Sequence, residues 1–308
     1  MESLRFDGRV AIVTGAGRGL GRAHALLLGA RGARVVVNDL GGSPTGEGQD
    51  PGPAERVAAE IRAAGGEAVA DGSDIATTEG AEHVVATAIG TYGRLDVVVN
   101  NAGIVVPDAF PDVTLAELRR HFTVHVGGSF NVTRASWPHL VAAGYGRVVL
   151  TGSHAVLGAD SLIAYGTAKG GVHALVGALA QAGRKLGITV NGVAPVAATR
   201  IAGGNDDGTS GEGVLDGADP ALVSPVVALL SHESCAVTGE TVVSGGRRQA
   251  RLFTAETTGY VHPDTAVTPE VLAEHWEAIR ETAGHHVLTD TTSWMELYAA
   301  WIAAGTPA

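Results

Sequence analysis

The sequence predicts a doubly wound α/β fold, a parallel sheet of about seven strands with helices on both faces. Three observations predict it. Short β-branched runs alternate with longer Ala- and Leu-rich segments from residue 9 to residue 244. The strand candidates are unbroken apolar runs, as strands covered on both faces require. A glycine-rich turn joins the first strand candidate to the first helix candidate.

The elements follow in order. Residues 9–15 (RVAIVTG) form a strand and 19–31 a helix. Residues 33–39 form the second strand, and a Gly- and Pro-rich loop at 41–53 leads to a helix over 54–64. The third strand lies within 66–74, followed by a helix over 77–91. Residues 95–103 are the fourth strand; one long helix covers 114–138 and ends near Pro138. Residues 146–153 are the fifth strand, 162–186 a helix and 187–195 the sixth strand. Residues 202–219 are rich in Gly and Asp without periodicity, so they read as a loop. A short helix over 220–231 and a strand over 240–244 close the pattern.

Beyond Gly246 the rhythm stops, and residues 247–265 read as irregular. A helix is expected over 268–281, with Thr268 as N-cap, Pro269 at the first position and an apolar stripe through His275, Trp276 and Ile279. A last helix is expected near 292–304. The chain thus divides into a dinucleotide-binding domain, 1–246, and an extension, 247–308, that packs on the core or on a partner subunit.

Composition narrows the classes. With 45% hydrophobic and 17% charged residues, a large core forms and global disorder is excluded. A net charge of −11 repels phosphate backbones, which argues against nucleic acid as a partner. The single cysteine, Cys235, rules out an intramolecular disulfide and fits a reducing compartment. The N-terminus lacks an apolar core of signal type, and no apolar run approaches the ~18 residues of a membrane helix. A soluble cytoplasmic protein without membrane association is expected. The histidines lack metal-ligand spacing, so no metal is expected.

The turn TGAGRGLG, 14–21, carries the first chemical signal. Gly15, Gly19 and Gly21 allow a tight bend and a close backbone approach. Thr14, Gly17, Arg18 and Leu20 complete a loop whose amides face a pyrophosphate at a helix N-terminus. At the first strand–helix turn of such a sheet this is a Rossmann-type dinucleotide site. The second strand ends in Asn38 and Asp39. A carboxylate there accepts from both adenosine ribose hydroxyls and repels a 2′-phosphate, which favours NAD. Arg18 is positioned to pair with a 2′-phosphate and keeps NADP as the lesser alternative. Asp74 and Ile75 offer a carboxylate to the adenine amino group and an apolar cover to its ring. Asn101, Ala102 and Gly103, from NNAG at 100–103, end the fourth strand at the ligand edge of the sheet.

Together TGAGRGLG, NNAG, a serine ending GRVVLTGS (146–153) and YGTAK (165–169) resemble the short-chain dehydrogenase/reductase family over about residues 5–245. A narrower likeness is carried by VVVNDLGG (35–42), VHVGGSFNVTRASW (124–137), SHESC (231–235) and HPDTAVTPEVLAEHW (262–276). These look like the (3R)-hydroxyacyl-CoA dehydrogenase domains of type 2 peroxisomal multifunctional enzymes and their bacterial stand-alone relatives.

The resemblance implies roles. Tyr165 is the general acid/base. Lys169, four residues on and on the same helix face, lowers the phenol pKa from near 10 and holds the nicotinamide ribose. Ser153 orients the reacting oxygen. Pro195, Val196 and Thr199 contact the nicotinamide. His154, next to Ser153, either faces the substrate or packs in a loop. Two departures stand out. Ser153 lies twelve residues before Tyr165 where many relatives have thirteen, with Gly152 at the usual position and Ser161 as the alternative hydroxyl. His125 occupies the place of the family's helix-kinking asparagine, and catalysis through it is one reading beside a structural one. The implied activity is NAD-dependent interconversion of a secondary alcohol and a ketone, with a 3-hydroxyacyl-CoA, bulky or steroid-derived acyl groups included, as leading substrate. The alternatives are a hydroxysteroid or other secondary-alcohol dehydrogenase without CoA recognition, and a cofactor-binding regulatory protein without turnover. Family members assemble through the helices matching 114–138 and 162–186, which implies a homodimer or homotetramer.

Overall fold

A computed structural model of the protein describes residues 3–197, 218–263 and 266–304. The chain forms two compact units, Met1–Arg251 and Leu252–Ala308.

The first unit is built on strands β1 (Val10–Thr14), β2 (Arg34–Asn38), β3 (Glu67–Asp71), β4 (Val97–Asn100), β5 (Gly146–Thr151), β6 (Ile188–Val196) and β7 (Thr241–Gly245). All pair in parallel, in the order β3-β2-β1-β4-β5-β6-β7. Because β1 pairs with both β2 and β4, the winding direction reverses between β1 and β4, and a crevice opens beyond their carboxyl ends. Helices α1 (Gly19–Ala30), α2 (Gly52–Ala63) and α7 (Ser224–Ser231) cover one face. Helices α3 (Thr78–Tyr92), α5 (Gly128–Ala143) and α6 (Ile163–Gly183) cover the other.

Strand alternation feeds the two cores. In β1, Ala11 and Val13 pack with Leu28, Val57 and Ile61, whereas Val10 and Ile12 pack with Val84, Leu140 and Val172. Each such aliphatic side chain contributes roughly 1.5–3 kcal/mol on full burial.

Up to residue 252, four features differ from the sequence expectation. An eighth strand, β8 (Arg248–Leu252), joins the sheet beside β7. Its residues, RQARL, are exposed or half-buried and carry no apolar run, so the edge strand left no hydrophobic signal. Second, the long helix over 114–138 is α4 (Leu115–Phe122), a π-helical turn (Thr123–Gly127) and then α5. Third, α5 runs through Pro138 to Ala143, where Gly144 at φ +59° stops it. Pro138 removes one backbone donor without ending the helix. Fourth, the segment 220–231 splits into a 3₁₀ turn, Pro220–Leu222, and α7. Residues 202–217 of the expected loop lie outside the described residues.

In the second unit, β9 (Ala255–Glu256) and β10 (His286–Val287) pair antiparallel, and the expected helix over 268–281 divides at His275 into α8 (Pro269–Glu274) and α9 (Trp276–Arg280). Thr268 caps α8 by accepting from the Val271 amide at 3.4 Å. Tyr260 stacks on His275 at 3.8 Å, and α10 spans Thr291–Ala304. No helix among the described residues is long and apolar enough to cross a membrane.

Candidate active site

A cleft of about 600 Å³ opens at the carboxyl ends of β1, β2, β4, β5 and β6. Its floor begins at the glycine-rich turn. Gly15 (φ +62°) and Gly19 (φ +52°) adopt a left-handed conformation that strains other residues. A Cβ on Gly15 would stand 2.7 Å from the Ala102 Cα; one on Gly21 would strike the Gly15 carbonyl oxygen. Thr14 ties the turn to β4, its hydroxyl accepting from the amides of Asn101 (3.0 Å) and Ala102 (3.1 Å). Asn101 Nδ2 donates back to the carbonyls of Thr14 and Gly15.

Helix α1 starts without a side-chain cap and with no acidic residue in its first turn. Its free amides and positive end therefore suit a phosphate, and the turn is stripped of Cβ atoms where the backbone must come close. The residues present fit a dinucleotide. A methyl at Gly17 would lie 2.6 Å from the Pro53 Cβ and 2.8 Å from Asp39 Oδ2. Gly17→Ala is accordingly expected to weaken NADH binding by about tenfold or more, roughly 1.4 kcal/mol per decade, in a fluorescence titration. An unchanged Kd would remove the turn from the cofactor site.

Asp39 faces the same turn. Its Oδ2 accepts from the Gly17 amide and its Oδ1 from the Gly41 amide, both at 2.7 Å. A carboxylate offers about four acceptor positions, so two stay open for hydroxyl donors. Asp39 also fixes the loop that follows, which the sequence left without a role. Leu40, Gly42, Ser43, Pro44 and Gly46 line the cleft, and the Pro44 carbonyl accepts from the Val105 amide at 3.0 Å. The Gly- and Pro-rich run directly after Asp39 was the available signal. Asp74 and Ile75 line the cleft after β3. Asp74 Oδ1 accepts from the Ala76 amide at 2.9 Å, and Ile75 is buried.

At the other end, β5 hands over to Ser153, and α6 presents Tyr165 and Lys169. The Ser153 hydroxyl faces the same cleft as the Tyr165 phenol and acts to lower its pKa. It also accepts from the Ala155 amide at 3.1 Å, capping the 3₁₀ turn His154–Leu157. Ser161, the alternative hydroxyl, is exposed at the cleft wall. Burial pushes the Tyr165 phenol up, and Ser153 pulls it down; the net direction is up. The sequence expected Lys169 to supply the lowering. Lys169 Nζ is buried 5.5 Å from the Tyr165 ring centroid, donates to the Thr151 carbonyl at 2.6 Å, and is brought by burial to about 7.

The π turn delivers His125 to this centre. Its ring meets Tyr165 edge-on at 5.3 Å and stacks on His121 at 6.1 Å. His125 Nε2 lies 2.8 Å from the Ile104 carbonyl oxygen and 3.3 Å from the Ile104 amide. The shorter contact places the proton on Nε2 and leaves Nδ1 a buried acceptor without a partner among the described residues. Burial, then the Lys169 charge, hold the imidazole well below its ordinary value, so it is neutral.

The cleft wall brings together Gly15, Arg18, Gly19, Leu20, Asp39, Asp74, Ile75, Asn101, Ala102, Gly103, His125, Ser153, Tyr165, Lys169 and Pro195. Thr14, Gly17 and Gly21 shape the turn from behind it. Val196 and His154 are not in the wall, and Ala197 stands there beside Pro195. Val196 instead pairs with Gly245 in the sheet. Thr199 lies outside the described residues. Ile104, Val105, Pro107, Val124 and Leu162 are wall residues that the motifs did not mark. Among the described residues, no cluster of His, Cys, Asp or Glu could hold a metal ion.

A doubly wound sheet with a glycine-rich turn at its switch point and a serine, a tyrosine and a buried lysine on one cleft wall defines a nucleotide-dependent oxidoreductase. The chain belongs to the short-chain dehydrogenase/reductase family: the family description short chain dehydrogenase matches residues 9–205. Enzymes of this family use NAD(P) and act on CH–OH groups. The chain is 41% identical over 279 residues to the peroxisomal multifunctional enzyme type 2 of Mus musculus, covering 90% of this chain and 37% of that one. It is 39% identical over 279 residues to a protein of Mycobacterium tuberculosis named as a short-chain type dehydrogenase/reductase, covering 90% and 95%. It thus spans well under two thirds of the multifunctional enzymes it matches, 37% of the mouse protein and 46% of that of Drosophila melanogaster.

Among solved structures, a short chain dehydrogenase from Mycobacterium avium superposes with a TM-score of 0.76 at 38% identity, over 90% of this chain and 97% of that one. The full-length peroxisomal multifunctional enzyme type 2 from Drosophila melanogaster gives 0.80 at 29%, over 98% and 50%. A 7α-hydroxysteroid dehydrogenase complexed with NADH and 7-oxo glycochenodeoxycholic acid gives 0.69 at 26%, over 80% and 97%.

Proposed function

We propose that the protein is an NAD-dependent dehydrogenase that interconverts a 3-hydroxyacyl-CoA and its ketone. The observation that carries the chemistry is the convergence of Ser153, Tyr165 and buried Lys169 on one cleft wall. The likeness to the multifunctional enzymes over 90% of the chain supports the acyl-CoA assignment. In oxidation, the phenolate of Tyr165 takes the hydroxyl proton as the carbinol C–H bond breaks. Ser153 holds the reacting oxygen in line with Tyr165. Lys169, fixed on the Thr151 carbonyl, stabilises the phenolate while protonated. His125, neutral and with Nδ1 unpartnered among the described residues, offers an acceptor next to this pair. A nicotinamide bound there would supply the hydride acceptor. Gly15 to Gly21 would hold the pyrophosphate and Asp39 the adenosine ribose. The reading extends to a cytoplasmic homodimer or homotetramer; the one cysteine, buried and free, agrees with a reducing compartment.

The alternative is a hydroxysteroid dehydrogenase without CoA recognition, favoured by the likeness to the 7α-hydroxysteroid enzyme. Purified protein is to be assayed by NADH absorbance with both enantiomers of 3-hydroxyacyl-CoAs and with steroid alcohols. Turnover of a steroid alcohol but no acyl-CoA would reverse the assignment. With NADP in place of NAD, kcat/KM is expected to fall by about tenfold or more, since a 2′-phosphate would meet the Asp39 carboxylate. Asp39→Asn, which keeps the shape and loses the charge, is expected to narrow that ratio. A wild-type preference for NADP would refute the role of Asp39.

A further inference from the structure

Helix α6 carries Tyr165 on its first turn, yet the residue before the helix, Leu162, provides no side-chain cap. The cap arrives from far along the chain. Asp108 Oδ1 accepts from the Ile163 amide at 2.5 Å, and Oδ2 accepts from the Ala164 amide at 3.0 Å. The Asp108 amide donates to the Ser161 carbonyl at 2.9 Å, and Asp108 bridges Leu162 in parallel. One side chain and one amide therefore clamp α6 at the point where its direction is set.

The segment that offers Asp108 is itself pinned. Ile104 is held by His125, and the Val105 amide by the Pro44 carbonyl. The Val106 amide donates to His121 Nε2 at 3.3 Å, while His121 Nδ1 bonds the Glu117 carbonyl at 2.9 Å. Asp108 thus passes the position of a braced cleft wall to the helix that bears the phenol.

We propose that Asp108 is a positioning residue: it fixes the first turn of α6 and so aligns the Tyr165 phenol with the Ser153 hydroxyl. The inference rests on the proton-transfer role assigned above to Tyr165. Among the described residues, the titratable groups facing that phenol are Lys169 on its own helix, His125 from the π turn and His121 from α4. Asp108 adds a negative charge at the positive end of α6, where it opposes phenolate formation.

The test is a phenolate absorbance titration of wild type, Asp108→Asn and Asp108→Ala. Each is measured against its own Tyr165→Phe counterpart as blank, so Tyr165 alone is read. NADH binding and kcat with a 3-hydroxyacyl-CoA accompany it. In Asp108→Asn, which keeps an acceptor and loses the charge, the Tyr165 midpoint is expected to fall by about half a unit. In Asp108→Ala the midpoint is expected above that of Asp108→Asn, because the lowering by Ser153 is lost with the alignment. The Kd for NADH stays within about twofold, and kcat falls about tenfold in Asp108→Ala but within about threefold in Asp108→Asn. If the two variants share one midpoint and one kcat, Asp108 is an ordinary helix cap and the proposal is overturned. If Tyr165→Phe alone keeps full turnover, the assignment of Tyr165 fails, while the midpoints still report on Asp108.

Discussion

Tyr165→Phe is expected to lower turnover by about 10³-fold while leaving NADH affinity nearly unchanged. The substitution removes one oxygen from a ring that the helix and the histidine pair continue to hold. What disappears is the hydroxyl in the cleft wall beside Ser153 that can both take and return the substrate proton. Positioned acid/base groups contribute about 10²- to 10⁴-fold, and the upper half of that range is expected because no second acid stands ready. His125 is held neutral with its proton committed to the Ile104 carbonyl. Steady-state kinetics and a fluorescence titration of NADH check the pair of outcomes. A variant keeping more than about a tenth of wild-type turnover would transfer the proton role elsewhere.

Stability is expected to fall steeply in mild acid, and buried histidines are the reason. His24 on α1 is fully buried, its Nδ1 lies 2.8 Å from the Ser224 hydroxyl of α7, and burial lowers its pKa from 6.5 to about 3. The unfolded chain binds a proton near pH 6.5 that the native chain refuses until about pH 3. The stabilisation is therefore complete above about pH 6.5 and is lost as pH falls from there towards about 3. At 1.36 kcal/mol per unit, the full window corresponds to about 4–5 kcal/mol from His24 alone. His125 is shifted in the same direction and adds to the loss. Urea midpoints measured from about pH 8 down to pH 4 should fall continuously below 6.5. His24→Gln, which keeps a polar partner for Ser224 and does not titrate, should flatten that fall. An equal slope in the variant would show that His24 is not responsible.

The strands and their order of appearance were legible because β1, β2, β4, β5 and β6 are largely apolar runs between turn residues, a pattern that burial on both faces imposes. TGAGRGLG was legible for a related reason, since close backbone approach leaves only glycine at defined places. β8 was not legible, because an edge strand built from RQARL hides nothing from water. The π turn was equally silent. It depends on Ile104, twenty-one positions from His125, and helix propensity alone favours an unbroken helix there. The pKa pattern also lay beyond the motif. YGTAK places Tyr165 and Lys169 on one helix face, but the depth of burial that weakens the lysine charge is a property of the packed sheet. Asp108 carried no signal because its partners, the amides of Ile163 and Ala164, are fifty-five and fifty-six residues away. The break at His275 reflects a tertiary contact, its stacking on Tyr260.

The π turn at Thr123–Gly127 also acts as a phase reset. In an α-helix each added residue advances the side-chain direction by about 100°. The one extra residue of a π turn thus puts α4 and α5 on different headings along almost one axis. The upstream half packs on α6, where Gly171 nestles against Phe122 and Val126, while the downstream half packs on α3. The offset bears on which face each half turns to its neighbour. Chain length in this stretch is consequently as constrained as its chemistry. Removing one residue between Thr123 and Gly127 would restore the α phase and swing Val132 and Leu140 out of the core, though no catalytic group had been touched.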